Sequence, residues 1–206
     1  MEIIHAERLA KGSVRRTLGS LILQGATFVY PTDTCYALGA DSLVPEAVHS
    51  IYYIKRRDLA KPLPVIARDI GTAGRFCVID SRAQAVFERF PGISLVLPKR
   101  NIPDIVNPTR IMVRIPQNET LSRLLEHVPV PVISTSANLA GDPNPYSIRD
   151  VSRSLSTALS MIGFAIDGGA LEPKKPSTIL DCIEGKVYRE GEHGAKEVLE
   201  VFNAAH

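Results

Sequence analysis

Apolar residues recur along this chain at two spacings, which predict helices and strands in alternation. Residues three and four positions apart, beginning with Val14 and Leu18, predict a first helix with Ser13 as its cap and Gly25 as its stop. Similar patterns predict further helices that begin near Pro45, Ser81, Asn118, Ser147 and Ala195. Proline in a first turn, and serine or asparagine just before one, are both helix-starting signals.

Short apolar runs between these helices predict the strands. They occupy residues 26–30, 63–67, 93–97, 111–115, 130–133 and 161–166, and residues 177–182 with 186–189 form a candidate hairpin. Residues 31–42 are rich in hydroxyls and small side chains, so we expect a loop there without a regular strand. The late hairpin and the many prolines argue against a purely parallel sheet. The pattern therefore predicts an α/β (α+β) fold, a single twisted mixed sheet with helices packed on it.

The composition fits one folded domain that comprises residues 1–206. Hydrophobic residues make up 45% of the 206, enough for a substantial core, and no repeat or glycine-rich linker divides the chain. The formal net charge is only +2, so any basic function has to be local. No cationic leader and no apolar run of about 18 residues is present, which predicts a soluble cytoplasmic protein without a membrane segment.

Several familiar catalytic and metal-binding patterns are absent from the sequence. The three cysteines are widely spaced and the five histidines form no closely spaced pair, so no metal site is predicted. Cys35 has no histidine near it in the sequence and is predicted to be a packing residue. The chain also lacks a Walker-type phosphate loop, a Gly-x-Gly-x-x-Gly fingerprint and a Gly-x-Ser-x-Gly elbow.

A basic cluster follows the second predicted helix, with Lys55, Arg56, Arg57 and Lys61 opposed only by Asp58. On charge alone, a solvated helix end explains this cluster more simply than an anion site does. However, several predicted strands end in polar side chains, which one sheet could bring together. These are Thr32, Thr34, Arg114, Ser136, Asn138, Ser177 and Arg189. Cations combined with hydroxyls favour polyanion binding and suit phosphoryl or nucleotidyl transfer.

Arg114 stands out because it lies in the middle of an otherwise apolar run, at residues 111–115. A charge in such a run has to be paired when it is buried. We therefore expect Arg114 to have an anionic partner.

Five segments resemble, in order, the signatures of a known family. They are YPTDTCYALG at 30–39, KRR at 55–57 with KPL at 61–63, VRIP at 113–116, STSANLAG at 134–141 and PSTILD at 176–181. Together they are similar to the YrdC-like family, the threonylcarbamoyl-AMP synthases and their close relatives, over about residues 18–191. Each segment alone is a weak signal, and their order makes chance similarity improbable.

The resemblance implies a YrdC-like fold and the activity of an L-threonylcarbamoyladenylate synthase. Such a nucleotidyltransferase converts L-threonine, bicarbonate and ATP into threonylcarbamoyl-AMP and pyrophosphate, with Mg²⁺ on the triphosphate. The product serves N6-threonylcarbamoyladenosine formation at position 37 of tRNA. The implied partners are therefore tRNA or double-stranded RNA and the tRNA threonylcarbamoyl-transferase machinery.

The resemblance also implies roles for individual residues. The implied catalytic residues are Lys55, Arg57 and Lys61. The implied ATP-binding residues are Arg57, Lys61, Asn138 and Arg189. The implied threonine-binding residues are Thr34, Arg114, Ser136 and Ser177. Arg114 would hold the threonine carboxylate, since a planar guanidinium can bind both oxygens of a carboxylate.

Two positions depart from the pattern of the synthases. Ala37 stands where glycine is common, and Ile66 stands where many synthases carry histidine. Two other interpretations stay open from the sequence. The chain could be an RNA-binding module with a basic concave face, or a sister-branch enzyme that hydrolyses ATP or adenylates a different substrate.

Overall fold

The computed structural model describes residues 1–205, whose strands form two mixed sheets. The first sheet consists of β1 (Glu2–His5), β2 (Phe28–Pro31), β3 (Tyr36–Gly39), β8 (Thr135–Ser136) and β9 (Phe164–Asp167), in the order β1-β9-β2-β3-β8. The second consists of β4 (Val65–Ile66), β5 (Ser94–Pro98), β6 (Arg110–Arg114), β7 (Val132–Ile133), β10 (Ile179–Asp181) and β11 (Lys186–Arg189), in the order β11-β10-β5-β6-β4-β7. Both sheets contain parallel and antiparallel pairs, so the predicted mixed α/β fold is confirmed, with its strands divided between two sheets.

Helices pack against these sheets along the whole described chain. They are α1 (Gly12–Leu23), α2 (Pro45–Lys55), α3 (Ile70–Gly74), α4 (Ser81–Arg89), α5 (Glu119–Leu124), α6 (Ile148–Ser154) and α7 (Ala195–Ala204). Shorter 3₁₀ helices occupy Ala6–Ala10, Leu125–His127 and Ser156–Met161. None of the helices described here is long and apolar enough to cross a lipid bilayer.

The helix caps follow the sequence prediction at two positions and depart from it at two. Asn118 and Ser147 each accept a hydrogen bond from a backbone N–H three residues on, as predicted. Ser13 is not the cap of α1, which begins one residue earlier at Gly12. At α4 the cap is Asp80, whose carboxylate accepts from the N–H of Ala83 and so takes the position predicted for Ser81.

The predicted loop at residues 31–42 is wrong for its second half. Tyr36–Gly39 forms β3, which pairs antiparallel with β2 from Phe28 opposite Gly39 to Pro31 opposite Tyr36. Both strands are buried on both faces, which is why the sequence shows no polar alternation there. The loop itself is confined to residues 32–35.

Residues 132–136 join the two sheets, because β7 pairs with β4 in one sheet and β8 pairs with β3 in the other. Only Ser134 separates these two short strands. The N–H of Ile133 donates to the carbonyl of Ala40 at 2.8 Å, and that of Ser134 donates to the carbonyl of Pro64 at 2.9 Å. The sheets therefore meet along a seam, and a cleft opens beside it.

Candidate functional site

The cleft between the sheets holds a cavity of about 430 Å³. The first sheet and its loops contribute polar and small side chains, namely Thr32, Thr34, Cys35, Ala37 and Ser136. The second sheet and its flanking loops contribute Val65, Ile66, Ser94, Met112, Arg114, Ser177, Ile179 and Arg189. A second cavity of about 420 Å³ adjoins it, and both are lined by Arg57, Thr135, Ser136 and Asn144.

The two adjoining cavities bring together all nine site residues inferred from the sequence. The larger group, around the first cavity, is Thr34, Arg57, Arg114, Ser136, Ser177 and Arg189. The second cavity adds Lys55, Lys61 and Asn138. A larger groove of about 770 Å³ lies along α2, but Arg57 is its sole member from this set. We therefore place the candidate site in the paired cavities.

Lys55 is buried at the end of α2 and binds the segment after β8. Its Nζ donates to the carbonyl oxygen of Ser136, to the carbonyl oxygen of Asn138 at 2.7 Å and to Asn138 Oδ1 at 3.1 Å. An ammonium group has three donors, so these three acceptors satisfy it. Burial, with a further contribution from Arg57, lowers the pKa of Lys55 to about 8. In this arrangement Lys55 fixes the positions of Ser136 and Asn138.

The end of α2 separates Lys55 from the other cations of the basic cluster. Arg56 is left-handed, with a φ of 48°, and its N–H and that of Arg57 donate to the carbonyls of Tyr53 and Tyr52. The chain turns there, and Arg57 is half-buried between the two cavities, where it donates to the carbonyls of Lys61 at 3.2 Å and Pro62 at 2.9 Å. The turn thus gives Lys55 and Arg57 different surroundings.

The segment after β8 is held by side-chain hydrogen bonds. Ser136 Oγ donates to Asn138 Oδ1 at 2.6 Å, and Asn138 Nδ2 donates to the carbonyls of Asp142 and Pro143 at 2.7 and 3.0 Å. Asn138 is buried, and both Oδ1 and Nδ2 of its amide group form hydrogen bonds within the protein. This network fixes the wall that the two cavities share.

Arg114 has the anionic partner that its sequence position predicts, and this partner is Asp33. An Nη2–H of Arg114 donates to Asp33 Oδ2 across the cleft, and its Nε–H donates to the carbonyl of Gly92 at 2.7 Å. Asp33 lies in the loop between β2 and β3, whereas Arg114 ends β6. The ion pair therefore links the β2–β3 loop of the first sheet to a strand of the second sheet.

Ser177 and Arg189 form another part of the cavity wall, near Arg114. Arg189 donates to the carbonyl of Ser177 from both Nε and Nη2, at 3.0 and 2.8 Å, and Ser177 Oγ lies 2.9 Å from Ser94 Oγ. Burial, together with the charge of Arg114, lowers the pKa of Arg189. Two guanidinium groups near each other, with one nearby carboxylate, leave an excess of positive charge that favours an anionic ligand.

Cys35 also lines the cavity but lacks the environment of a nucleophile. It is buried, and burial raises the pKa of its thiol. A thiolate is the reactive form of cysteine, so a raised pKa opposes reactivity. Its surroundings agree with the packing role predicted from the sequence.

Several cavity residues were not identified from the sequence. Ser94, Asn144 and Lys174 line the first cavity, and Asp33 pairs with the cavity residue Arg114. Ser94 is a single buried hydroxyl in an apolar strand, and Lys174 follows a proline in an irregular loop, so neither carries a local pattern. A signal did exist for Asp33. Arg114, in an apolar strand, requires an anionic partner, and Asp33 is an acidic residue of the hydroxyl-rich loop.

The comparisons with known proteins agree with this fold. A protein-family model for Sua5, YciO and YrdC, described as telomere recombination, matches residues 20–191. The threonylcarbamoyl-AMP synthase of Pseudoalteromonas translucida is 33% identical over 177 residues, which cover 82% of this chain and 92% of that protein.

Solved structures are similar as well. P. abyssi Sua5 complexed with L-threonine superposes with a TM-score of 0.86 at 27% identity, over 100% of this chain. This chain spans 62% of the length of that protein. Escherichia coli YciO superposes with a TM-score of 0.78 at 24% identity. The superposition covers 95% of this chain and 97% of YciO, so the two share the fold. The family model matches residues 20–191, most of the length of this chain, and the chain therefore belongs to the Sua5/YciO/YrdC family.

Proposed function

We propose that this protein is an L-threonylcarbamoyladenylate synthase. It would convert L-threonine, bicarbonate and ATP into threonylcarbamoyl-AMP, pyrophosphate and water. The observation that carries this proposal is the meeting of cations and hydroxyls from both sheets at two adjoining cavities. The similarity to a threonylcarbamoyl-AMP synthase over 82% of the chain supports it.

The bond changes of this reaction need charge neutralisation and positioning more than a nucleophile. The threonine nitrogen bonds to the carbon of carbon dioxide derived from bicarbonate and loses a proton, which gives a carbamate. A carbamate oxygen then bonds to the α-phosphorus of ATP, the bond to the β-phosphate breaks, and pyrophosphate leaves. Cations close to the phosphates stabilise the charge that develops in such a transfer.

The residues around the cavities suit these steps. Arg57 lines both cavities and Lys61 lines the second, so they would bind the phosphates between the two spaces. Arg114 would hold the threonine carboxylate in the first cavity, with Thr34 and Ser177 as hydroxyl partners. Ser136 would contact threonine and Asn138 would contact the nucleotide. Arg189, which lines the first cavity, would contact the part of the nucleotide that extends into it. Lys55 would act by fixing Ser136 and Asn138.

A magnesium ion would come with the triphosphate. Among residues 1–205, no three His, Cys, Asp or Glu side chains cluster closely enough to hold a metal ion. A metal that is coordinated mainly by phosphate oxygens and water, as magnesium commonly is with nucleotides, does not need such a cluster. The ion would neutralise phosphate charge there.

The product would be consumed by a transferase that acts on tRNA. A mixed anhydride of a carbamate and a phosphate hydrolyses in water, so the step that uses it has to follow promptly. We propose that the acceptor is adenosine 37 of tRNA, through the threonylcarbamoyl-transferase machinery, in the cytoplasm. Association with tRNA or double-stranded RNA belongs to this proposal.

The proposal is tested by incubating purified protein with ATP, bicarbonate and Mg²⁺, with and without L-threonine. We expect pyrophosphate release that depends on threonine, and a product with the mass of threonylcarbamoyl-AMP. Serine and valine replace threonine in parallel reactions, because Ala37 and Ile66 line the cavity and set its shape. Absence of threonine-dependent release under all conditions would contradict the proposal.

A further inference from the structure

The first cavity carries positive charge that the protein itself does not neutralise. Its lining includes Arg57, Arg114, Lys174 and Arg189, and no aspartate or glutamate of residues 1–205 lines it. Only Arg114, through Asp33, forms an ion pair within these residues. Cations gathered in one cleft attract anionic ligands, so each of the other three is available to one.

Lys174 differs from the three arginines because it is not held in place. Arg57, Arg114 and Arg189 each donate to backbone carbonyl groups of the protein. Lys99 pairs with a carboxylate, but within residues 1–205 the ammonium group of Lys174 forms neither a hydrogen bond nor an ion pair. Its three donors are therefore free to bind a ligand.

The strap, which is residues 172–175, is anchored at both ends and unsupported between them. Before it, the N–H of Leu171 donates to the carbonyl of Tyr146 at 2.8 Å. After it, the carbonyl of Pro176 accepts from the N–H of Glu192 at 3.0 Å. In the described chain all four strap residues are exposed and form no hydrogen bond. A segment with so few contacts moves at little cost in free energy.

Two prolines make the neighbouring lysines of the strap face different ways. Pro173 and Pro176 bias the residues before them, Glu172 and Lys175, towards an extended backbone. Successive side chains of an extended chain point in different directions. Accordingly, Lys174 lines the first cavity whereas Lys175 lines neither cavity.

We propose that Lys174 binds a phosphate group of ATP, and that the strap closes over the first cavity when it does so. Ser177 and Arg189 line the same cavity, where the carbamate would meet the nucleotide. A lysine on a movable segment suits a phosphate, because a point charge on a flexible stem needs no fixed orientation. This inference rests on the proposed function and adds to it a binding residue from an irregular loop.

The test measures the binding of ATP, with Mg²⁺, and of adenosine by calorimetry, because adenosine lacks the phosphates. Lys174→Gln removes the charge and keeps most of the side-chain length, whereas Lys174→Arg keeps the charge. Lys175→Gln is the matched control, since it removes the same charge from the same strap outside both cavities.

We expect Lys174→Gln to weaken ATP binding by about fivefold, a modest factor because an exposed charge is screened by water and salt. Lys174→Arg and Lys175→Gln should stay within about twofold of the wild type. Adenosine should behave alike with all four proteins. Amide hydrogen exchange at Lys174 and Lys175 should slow when the wild type binds ATP, and should slow less in Lys174→Gln.

Three results in the binding experiment would overturn the inference. If Lys174→Gln binds ATP as tightly as the wild type, Lys174 does not contact the nucleotide. If Lys175→Gln loses as much affinity as Lys174→Gln, the overall charge of the strap attracts ATP and no specific contact is involved. If adenosine binding weakens as much as ATP binding does, the phosphates are not what Lys174 recognises.

Hydrogen exchange gives an answer that does not depend on the variants. If Lys174→Gln fails to fold, the wild type decides, because unchanged exchange in the strap on ATP binding excludes closure. A wild type that binds no ATP would refute the proposed function, and this inference with it. A wild type that binds ATP without any loss in Lys174→Gln would refute this inference alone.

Discussion

Lys55 is a charged residue in surroundings that normally hold an apolar one, and its environment makes stability depend on pH. Its folded pKa is lowered from 10.5 to about 8, chiefly by burial. Between these two values the unfolded chain retains a proton that the folded protein has released. The free energy of unfolding therefore rises as the pH increases from 8 to 10.5.

Replacing Lys55 by methionine should remove this pH dependence. Relative to the variant, the wild type should gain up to about 3 kcal/mol of unfolding free energy between pH 7 and pH 10.5. Denaturant titrations at several pH values measure the difference, and Lys196→Met, at an exposed lysine of α7, is the control. Parallel pH profiles for the wild type and Lys55→Met would show that burial does not lower the pKa of Lys55.

Gly92 holds Arg114 through its carbonyl and has a positive φ of 79°. A Cβ at this position would lie 3.2 Å from Arg114 Nη2 and 3.5 Å from Asp33 Oδ2. At Gly169, with a φ of 82°, a Cβ would meet no atom within 4 Å. The two glycines therefore share the backbone strain and differ in what a side chain would displace.

Alanine at Gly92 or Gly169 should destabilise the protein by about 1–2 kcal/mol, because both residues are left-handed. Only Gly92→Ala should also weaken threonine binding, by about tenfold, since it moves the guanidinium of Arg114. Thermal unfolding and calorimetry measure the two effects separately. Equal threonine affinity in both variants would argue against a role for Arg114 in binding.

At the scale of single residues, the sequence identified the cations and hydroxyls but not what each one touches. Lys55 and Arg57 lie two positions apart, yet one is buried against carbonyls and the other lines both cavities. The left-handed residue between them causes this difference, and Arg56 gives no sign of it because it is neither glycine nor asparagine. The hydrogen-bond partners of Lys55 lie more than eighty positions away in the sequence.

Among the elements, the β2–β3 hairpin shows where the periodicity of the sequence was misleading. Residues 36–39 follow a hydroxyl-rich turn and include a glycine, which made a loop the natural interpretation. The strand forms because β2 and β8 pair on either side of it and bury it. Strand pairing of this kind is a tertiary effect that local propensity does not encode. By contrast, α7 and the late hairpin have strong local patterns and were predicted closely.

The hydroxyl of Tyr36 attaches the loop after β9 to this hairpin. It accepts from the N–H of Gly168 at 2.9 Å and donates to the carbonyl of Gly169 at 2.7 Å. Burial raises the pKa of Tyr36 to about 12, so the hydroxyl keeps its proton at neutral pH. The loop it anchors continues to Lys174 at the cavity.

Tyr36→Phe should lower the free energy of unfolding by about 1–3 kcal/mol, because it leaves two backbone groups without their partner. Amide hydrogen exchange at Gly168 should become faster, while exchange in α7 should not change. Tyr146→Phe is the control, since the Tyr146 hydroxyl makes no hydrogen bond within residues 1–205. Unchanged exchange at Gly168 would show that the loop is held by other contacts.

On the scale of the whole molecule, the candidate site lies between two sheets that share a seam at residues 132–136. The sequence predicted one sheet, since strand order and sheet membership depend on pairings between distant residues. The prediction that residues 1–206 form a single domain stays a prediction. A single calorimetric unfolding transition would support it, and two transitions would contradict it.

A ligand that contacts both sheets should stabilise the whole protein. At 100 times its dissociation constant, a ligand adds about 2.7 kcal/mol, which raises the melting temperature of a chain of this size by about 5–10 °C. We expect this rise with ATP and threonine together, and a much smaller rise in Arg57→Ala. Arg16→Ala, an exposed arginine of α1 outside both cavities, should respond as the wild type does. An undiminished rise in Arg57→Ala would exclude Arg57 from ATP binding.

The distribution of cavity residues along the chain affects how the protein is made. Thr34 is among the first cavity residues to leave the ribosome and Arg189 is the last, with both sheets contributing between them. No nascent chain that stops before β11 contains the full set, so substrates cannot assist folding during most of synthesis. Until β11 has been made, cotranslational folding therefore proceeds without the stabilisation that a ligand bound to the full set would provide.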